Sequence, residues 1–330
     1  MGITPASAIW HQRQAVADSR DRLSKLSIAV DWQNDLALYQ WAQWLAMALE
    51  FKPDLIIELG RFMGNSTCVF TEAANQLGNC QVVSLCLSDN WQTTITDRVA
   101  RVVPPGWFRP LDAQIGDILA VDVPALIKDK RRILVLWDAH GFEIAGFVLG
   151  HLLPLIRHHD HLVIMHDISD ARYVGEASRD YNGRGLWQGG HAGDERMVLG
   201  HLHTAVPQTI SILDFTSRNR LALYSSDHSY HTELTKDQVV ALRAQLGDEF
   251  FQINGHWFWF TLNDKNDTDT IYFPKFPPPA SHSVESDSAA SQAEIAHLRA
   301  IIAAMESSKF WQLRTAWFRL KQALKGGRDR

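Results

Sequence analysis

The sequence predicts an α/β fold, in which a doubly wound, mostly parallel sheet carries helices on both faces and a helical tail follows at the C-terminus. Three observations predict it. Apolar runs suited to strands buried on both faces recur at 55–57, 81–87, 132–137 and 161–165. Stretches with helical spacing separate several of them, as in sheets built by crossover connections. The stretch PDLIIELGRFMGNST, residues 53–67, passes from strand through a glycine turn into a helix. That is how such folds make a ligand crevice at the carboxyl ends of their strands.

The elements follow in order. Residues 8–50 are predicted helical: Trp41, Leu45 and Leu49 recur every four residues before Pro53, with Trp44 and Ala48 beside them. Residues 1–50 then form an N-terminal helical cap on an α/β domain spanning 51–273. Leu55–Ile57 begin the first strand, Gly60 and Gly64 the turn, and Asn65, Ser66 and Thr67 are good helix-capping types. QVVSLCL is the second strand, 106–117 holds a third with a turn at Gly116-Asp117, and RILVLW is the fourth. A helix over 146–156 leads to the fifth, HLVIM. Residues 168–196, rich in glycine and aromatics without a clean period, suit a lid over a polar ligand or a surface excursion. Residues 208–215 and 220–225 read as two late strands, and HWFWFTL at 256–262 as a further strand at an edge. Residues 274–290 are Pro- and Ser-rich and read as a linker. Residues 291–330 read as a basic amphipathic helix with a heptad-like seam at Ile295, Leu298, Ile302 and Met305. It suits self-association through a coiled coil, or contact with a membrane surface.

Composition narrows the function classes. The chain has 330 residues, 46% hydrophobic and 21% charged, with a net charge of −5. These are values of an ordinary globular protein and argue against a general nucleic-acid binder. Cys68, Cys80 and Cys86 have neither disulfide nor zinc spacing and read as thiols in a reducing compartment. The first ten residues lack a basic stretch followed by an apolar core, and no apolar run approaches a membrane span. Gly2 invites a myristoyl group, but position 6 is Ala6 where a hydroxyl residue is wanted. The expectation is a cytoplasmic protein, membrane-associated only through the C-terminal helix.

The chemistry gathers at the strand tips. Glu58 ends the first strand, Asp138 the fourth and Asp167 the fifth, and such ends share one crevice. Glu58 could accept hydrogen bonds from a ligand ammonium or hydroxyl. Asp138 and Asp167, on neighbouring strands roughly 5 Å apart, would repel unless a cation lies between them or one is protonated. A hard divalent ion such as Mg²⁺ would relieve this, and the flanking His140 and His166 could add a ligand or a base. Imidazole donors suit Mn²⁺, Zn²⁺ or Fe²⁺ better than Mg²⁺. The alternative is that these residues cap helices and bind backbone amides. His151, His158, His159 and His161 read as surface or loop residues.

IELGRFMGNST resembles the first motif of class I S-adenosylmethionine-dependent methyltransferases, in which an acidic residue precedes a glycine loop. WDAHGFEIAGFVLGHLLPLIRHHDHLVIMHD resembles a subgroup similar to the cephalosporin hydroxylase-like and macrocin O-methyltransferase families, with Asp-x-His after the fourth strand and an acidic-Asp pair after the fifth. The resemblance covers roughly 50–170, more loosely to about 225, and implies a Rossmann-like domain. It implies that Gly60, Gly64, Asn65 and Ser66 lie by the amino-acid end of S-adenosylmethionine with Glu58 beneath. By the same resemblance Asp89 takes the ribose hydroxyls, and Gly116 and Asp117 sit by the adenine. Asp138, His166 and Asp167 would hold Mg²⁺ or Mn²⁺ against a substrate diol, with His140 as general base and Asp138 beside it. The chain departs from the subgroup in carrying His166 where Glu is usual, and in placing Asp89 late after its strand.

The reading is therefore a metal-assisted O-methyltransferase acting on a saccharide or other polyol, taking a small-molecule or glycan acceptor. Three others compete. A cofactor-binding scaffold without catalysis would use the C-terminal helix. A nicotinamide-dependent oxidoreductase wants a fuller glycine motif than Gly60–Gly64. An Fe²⁺ oxygenase wants a jelly-roll rather than alternating strands and helices.

Overall fold

A computed structural model of the chain describes residues 2–32, 35–166, 208–266 and 268–276. The described residues all fall in one compact unit, Met1–Phe276. The expected lid at 168–196, the linker beyond Phe276 and the helix at 291–330 lie outside the described residues, as does Asp167.

Two helices come first, α1 (Pro5–Val30) and α2 (Leu38–Phe51). Thr4 caps α1 through the Ser7 amide, and Pro5 fits its first turn, where the missing N–H costs nothing. Then come β1 (Leu55–Leu59), α3 (Asn65–Leu77) and β2 (Gln81–Cys86). A π-helical turn at Trp91–Ile95 leads into α4 (Thr96–Ala100), followed by β3 (Leu111–Ile115). After α5 (Val123–Ile127) comes β4 (Arg132–Trp137). The next helical stretch is α6 (Phe142–Phe147), a π turn (Val148–Leu152) and α7 (Leu153–Ile156), ending before β5 (Asp160–Met165). The late elements are α8 (208–219), β6 (Tyr224–Ser225), α9 (Ser226–Glu233), α10 (Lys236–Leu246) and β7 (Phe258–Phe260).

The seven strands lie in the order β3-β2-β1-β4-β5-β7-β6. β1 to β5 are parallel, and β7 runs antiparallel to both β5 and β6. The order reverses between β1 and β4, so the crevice at that switch point opens at the ends of β1 and β4. Alternate residues feed two cores. Ile56, Val82, Leu134, Leu136, Leu162 and Ile164 pack with α1, α2 and α3 on one face. Leu55, Ile57, Ile133, Val135, Trp137 and Val163 pack with α6, α7 and α8 on the other. Both faces are covered, which is why these strands read as unbroken apolar runs.

Several expectations change. The N-terminal helices pack directly on the sheet: Trp41, Trp44, Leu45 and Ala48 are fully buried and complete one of its faces. Each such large side chain contributes about 1.5–3 kcal/mol by burial. Residues 208–215 are not a strand. They lie in α8, where Gln208, Ile212, Phe215, Thr216 and Asn219 are buried at helical spacing. HWFWFTL is not at an edge either, since β7 lies between β5 and β6 and all three of its residues are buried. The core also runs past 273, for Phe276 packs edge-on against Phe147 with ring centroids 5.8 Å apart. The cysteines are free, with Cys68 and Cys80 buried and Cys86 partly so. Among the described residues no helix is long and apolar enough to cross a membrane.

His161 is not a surface residue but a buried one on β5. Its Nδ1–H donates to the His159 carbonyl at 2.9 Å, and its Nε2 accepts the Leu262 amide at 3.0 Å. Burial holds its pKa below the ordinary 6.5. The unfolded chain therefore takes up a proton that the fold refuses, and stability falls as pH drops below 6.5 towards the folded-state pKa. The urea midpoint should fall between about pH 7.5 and about pH 5.5. In His161→Leu the midpoint should start lower and fall less over that interval; an unchanged slope would contradict the assignment.

Candidate active site

The turn after β1 is built for close approach. Gly60 has φ +96°, and a Cβ there would come 2.8 Å from the Asp138 carbonyl carbon and 2.9 Å from the Ala139 nitrogen. Only a glycine lets the loop after β1 touch the backbone leaving β4. The Gly60 amide donates to the Leu85 carbonyl at 3.0 Å and the Asp138 amide to the Leu59 carbonyl at 2.9 Å, so the tips of β2, β1 and β4 are laced together. Gly64 has φ +92°, and its Cβ position is filled by the Trp91 ring, held there by the π-helical turn. Gly64 is the N-cap of α3 and has no side chain to cap it. The first-turn amides of α3 therefore have no side-chain cap at the N-cap position, an arrangement that favours an anion.

Beneath this turn is a buried polar network. Glu58 is fully buried, and its carboxylate accepts the Ser66 hydroxyl and, at 2.7 Å, the Thr67 hydroxyl. Burial pushes its pKa up, while Ser66, Ser84, Thr67 and the Arg61 charge pull it down. Arg61, also buried, donates to the Ser84 carbonyl at 2.8 Å, the Ser84 hydroxyl at 3.0 Å and the Gln114 carbonyl at 3.0 Å. Asn65 donates to the Trp32 carbonyl at 2.8 Å and to Asp35 at 3.0 Å. Glu58, Asn65 and Ser66 are thus engaged within the fold and form the floor beneath the crevice.

The remaining predicted residues are spread along the sheet's carboxyl edge. Asp89 is exposed just after β2. Asp117 is exposed after β3, where its carboxylate accepts the Leu119 amide at 2.9 Å. Gly116 donates its amide to the Cys86 carbonyl at 3.0 Å. The β4–β5 register, Trp137 against Met165, carries His166 to the side of Asp138. His166 Nδ1 lies 3.3 Å from Asp138 Oδ1, with both side chains largely buried. Trp44 of α2 meets the His166 ring edge-on at 5.4 Å. His140 Nδ1 lies 2.8 Å from Gln208 Oε1 at the start of α8. Among the described residues no three His, Cys, Asp or Glu side chains converge to hold a metal. Two of the three expected donors, Asp138 and His166, are nonetheless side by side.

Several residues escaped the sequence. Arg61 stands inside the glycine turn, where a basic residue was its only signal. Trp91 and Gln208 had none, because their roles depend on long-range packing. Large apolar side chains also stand exposed around this edge: Trp32, Phe62, Leu87, Ile115 and Phe142. Phe62 holds φ +45°, a strained value for a bulky residue, and meets Trp32 edge-on at 5.6 Å. Strain and exposed apolar surface gathered at one edge mark a binding region.

No family model and no curated protein matches the chain. Among solved structures, it is similar to the SAH-bound methyltransferase PaMTH1 of Podospora anserina, at 11% identity and TM-score 0.46 over 74% of this chain and 95% of that one. It is also similar to cofactor-bound Rv0187 from MTB, at 14% identity and TM-score 0.41 over 68% and 90%. A third is the O-methyltransferase TomG of Streptomyces achromogenes in complex with SAM, at 13% identity and TM-score 0.37 over 61% and 80%. At these values the agreement is loose.

The glycines should separate by environment. Gly60→Ala and Gly64→Ala combine a left-handed backbone with overlap, and each should destabilise by about 2–4 kcal/mol. Gly116, with open space at its Cβ position and no left-handed φ, should tolerate alanine within about 0.5 kcal/mol. Denaturant melts of the three variants check this ordering.

Proposed function

We propose that the strand-tip crevice binds S-adenosylmethionine and that the chain is an O-methyltransferase acting on a saccharide or other polyol hydroxyl. The observation that carries this reading is the contact of Gly60 with the Asp138–Ala139 backbone at the switch point. It brings the turn leading to the α3 N-terminus, which lacks a side-chain cap, against the end of β4, where Asp138 lies beside His166.

The residues fit the donor's amino-acid end. The amides of Asn65, Ser66 and Thr67 at the α3 N-terminus offer its carboxylate hydrogen bonds and a favourable dipole. Asp89 and Asp117 lie along the same edge, where the resemblance would put the ribose and the adenine. When bound, the sulfonium supplies an electrophilic methyl carbon. Displacement at that carbon needs the acceptor oxygen in line, so holding both partners supplies much of the rate. The acceptor's proton must also leave. If Gln208 Oε1 accepts from His140 Nδ1–H, the imidazole is set in the tautomer that takes a proton at Nε2. Asp138, paired with His166, places negative charge beside the acceptor.

Asp138 and His166, with Asp167 next in the chain, are the residues that would hold a divalent ion, which would lower the pKa of a coordinated hydroxyl. A second form of the same reaction needs no metal, with Asp138 and His166, 3.3 Å apart, acting as a pair on their own. β7, inserted antiparallel between β5 and β6, departs from the 3-2-1-4-5-6 order of the dinucleotide-binding fold. The sheet is also not the jelly-roll expected of an Fe²⁺ oxygenase.

Transfer of labelled methyl to a panel of saccharides tests the reading. His140→Gln should lower kcat about 10²- to 10⁴-fold, with donor affinity nearly unchanged. Asp138→Asn should lower turnover as well. Activity lost with EDTA and restored by Mg²⁺ or Mn²⁺ would select the metal form, and activity indifferent to EDTA the metal-free form. No transfer to any acceptor, although the donor binds, would favour the scaffold alternative. Full activity in His140→Gln would remove the base.

A further inference from the structure

A cavity of about 750 Å³ opens at the opposite edge of the sheet, where β4 and β5 begin and where β6 and β7 join the chain. Its size suits a small ligand of one or two rings. It shares no lining residue with the strand-tip crevice.

One wall is aromatic. Tyr224 and Trp259 are stacked with centroids 5.1 Å apart and planes 25° apart. Trp259 is 5% exposed and fixed in β7, whereas Tyr224 is 39% exposed. The Tyr224 hydroxyl donates to Asp264 Oδ2 at 2.9 Å, which fixes the ring. The platform is therefore rigid before any ligand arrives, so stacking on it costs little ordering.

The rest of the rim is rich in acceptors. Arg132 Nε bonds Asp160 Oδ2 at 2.8 Å and its guanidinium lies 4.7 Å over the Phe51 ring, so the cation is committed twice. The Thr4 hydroxyl donates to Glu233 Oε2 at 2.5 Å. Each carboxylate here has one of these donors and retains lone pairs for others. His161 is buried, with both ring nitrogens bonded to backbone.

This pattern selects the ligand's chemistry. With Arg132 paired to Asp160, Glu233 and Asp264 leave an excess of negative charge, which disfavours phosphates, nucleotides and carboxylates. A wholly apolar ligand would strip water from the rim acceptors without replacing it. The lining Ser225 hydroxyl accepts the His228 amide and leaves its O–H to donate, so a ligand that both donates and accepts suits the cavity better than a cation, which only donates, and a neutral ring with an apolar C–H face and several hydroxyls meets both walls. We propose that this cavity is a saccharide-binding site, separate from the strand-tip crevice. It does not depend on that crevice taking a methyl donor.

Saturation-transfer-difference NMR on the full chain tests it, with no methyl donor present. The probes are the methyl glycosides of glucose, galactose, mannose and rhamnose, together with lactose. Saturation should reach the ring protons of at least one of them. It should drop at least fivefold in Tyr224→Ala, which removes the platform, and in Asp264→Ala, which frees it. Both positions are exposed, and the melting temperature of each variant shows that it folds. Absence of transfer to every probe would overturn the proposal. So would undiminished transfer in either folded variant, because the sugar would then be bound elsewhere, including the strand-tip crevice.

Discussion

A carboxylate with no access to water stands at the end of β1, and the candidate site is arranged around it. Glu58 draws the first turn of α3 onto the strand through the Ser66 and Thr67 hydroxyls. Arg61 lies within the field of the same carboxylate and reaches across to β2 and β3. Burying a charge is costly unless partners surround it, and removing one partner of such a set costs about 3–5 kcal/mol. The network therefore fixes where the glycine turn runs. The turn in turn fixes where α3 begins and how closely β1 meets β4.

Close approach does the rest. With Gly60 against Asp138 and Ala139, the loops leaving β1 and β4 touch, and Gly64 under Trp91 holds the start of α3. The parallel register then carries Asp138 and His166 to adjacent positions, with Trp44 behind the imidazole. The chemistry-bearing residues come from β4, β5 and the loop before α6. The elements proposed to bind the donor come from β1 and α3, on the other side of the switch point.

Much of this was legible in the sequence, for identifiable reasons. Strands covered on both faces need apolar residues at every position, so β1, β2, β4 and β5 stand out as runs. β3 is half exposed and shows no such run, and only its neighbourhood was found. The residues of α8 misled because QTISILDF is rich in β-branched and apolar residues, and a short run of that kind carries too little period to separate strand from helix. The side chains at the strand tips are legible by type. Glu58 looked available to a ligand because its hydroxyl partners lie eight and nine residues on, brought back by a turn whose geometry the sequence does not print. Gln208 beside His140 is 68 residues away and depends wholly on packing.

The central claim is that the crevice between the β1 turn and the β4 tip holds a methyl donor. Calorimetric titration of the wild-type chain with S-adenosylhomocysteine, and separately with NAD, tests it most directly. Saturable one-to-one heat with S-adenosylhomocysteine and none with NAD is the expected result. Saturable heat with NAD, or none with either S-adenosylhomocysteine or S-adenosylmethionine, would contradict it.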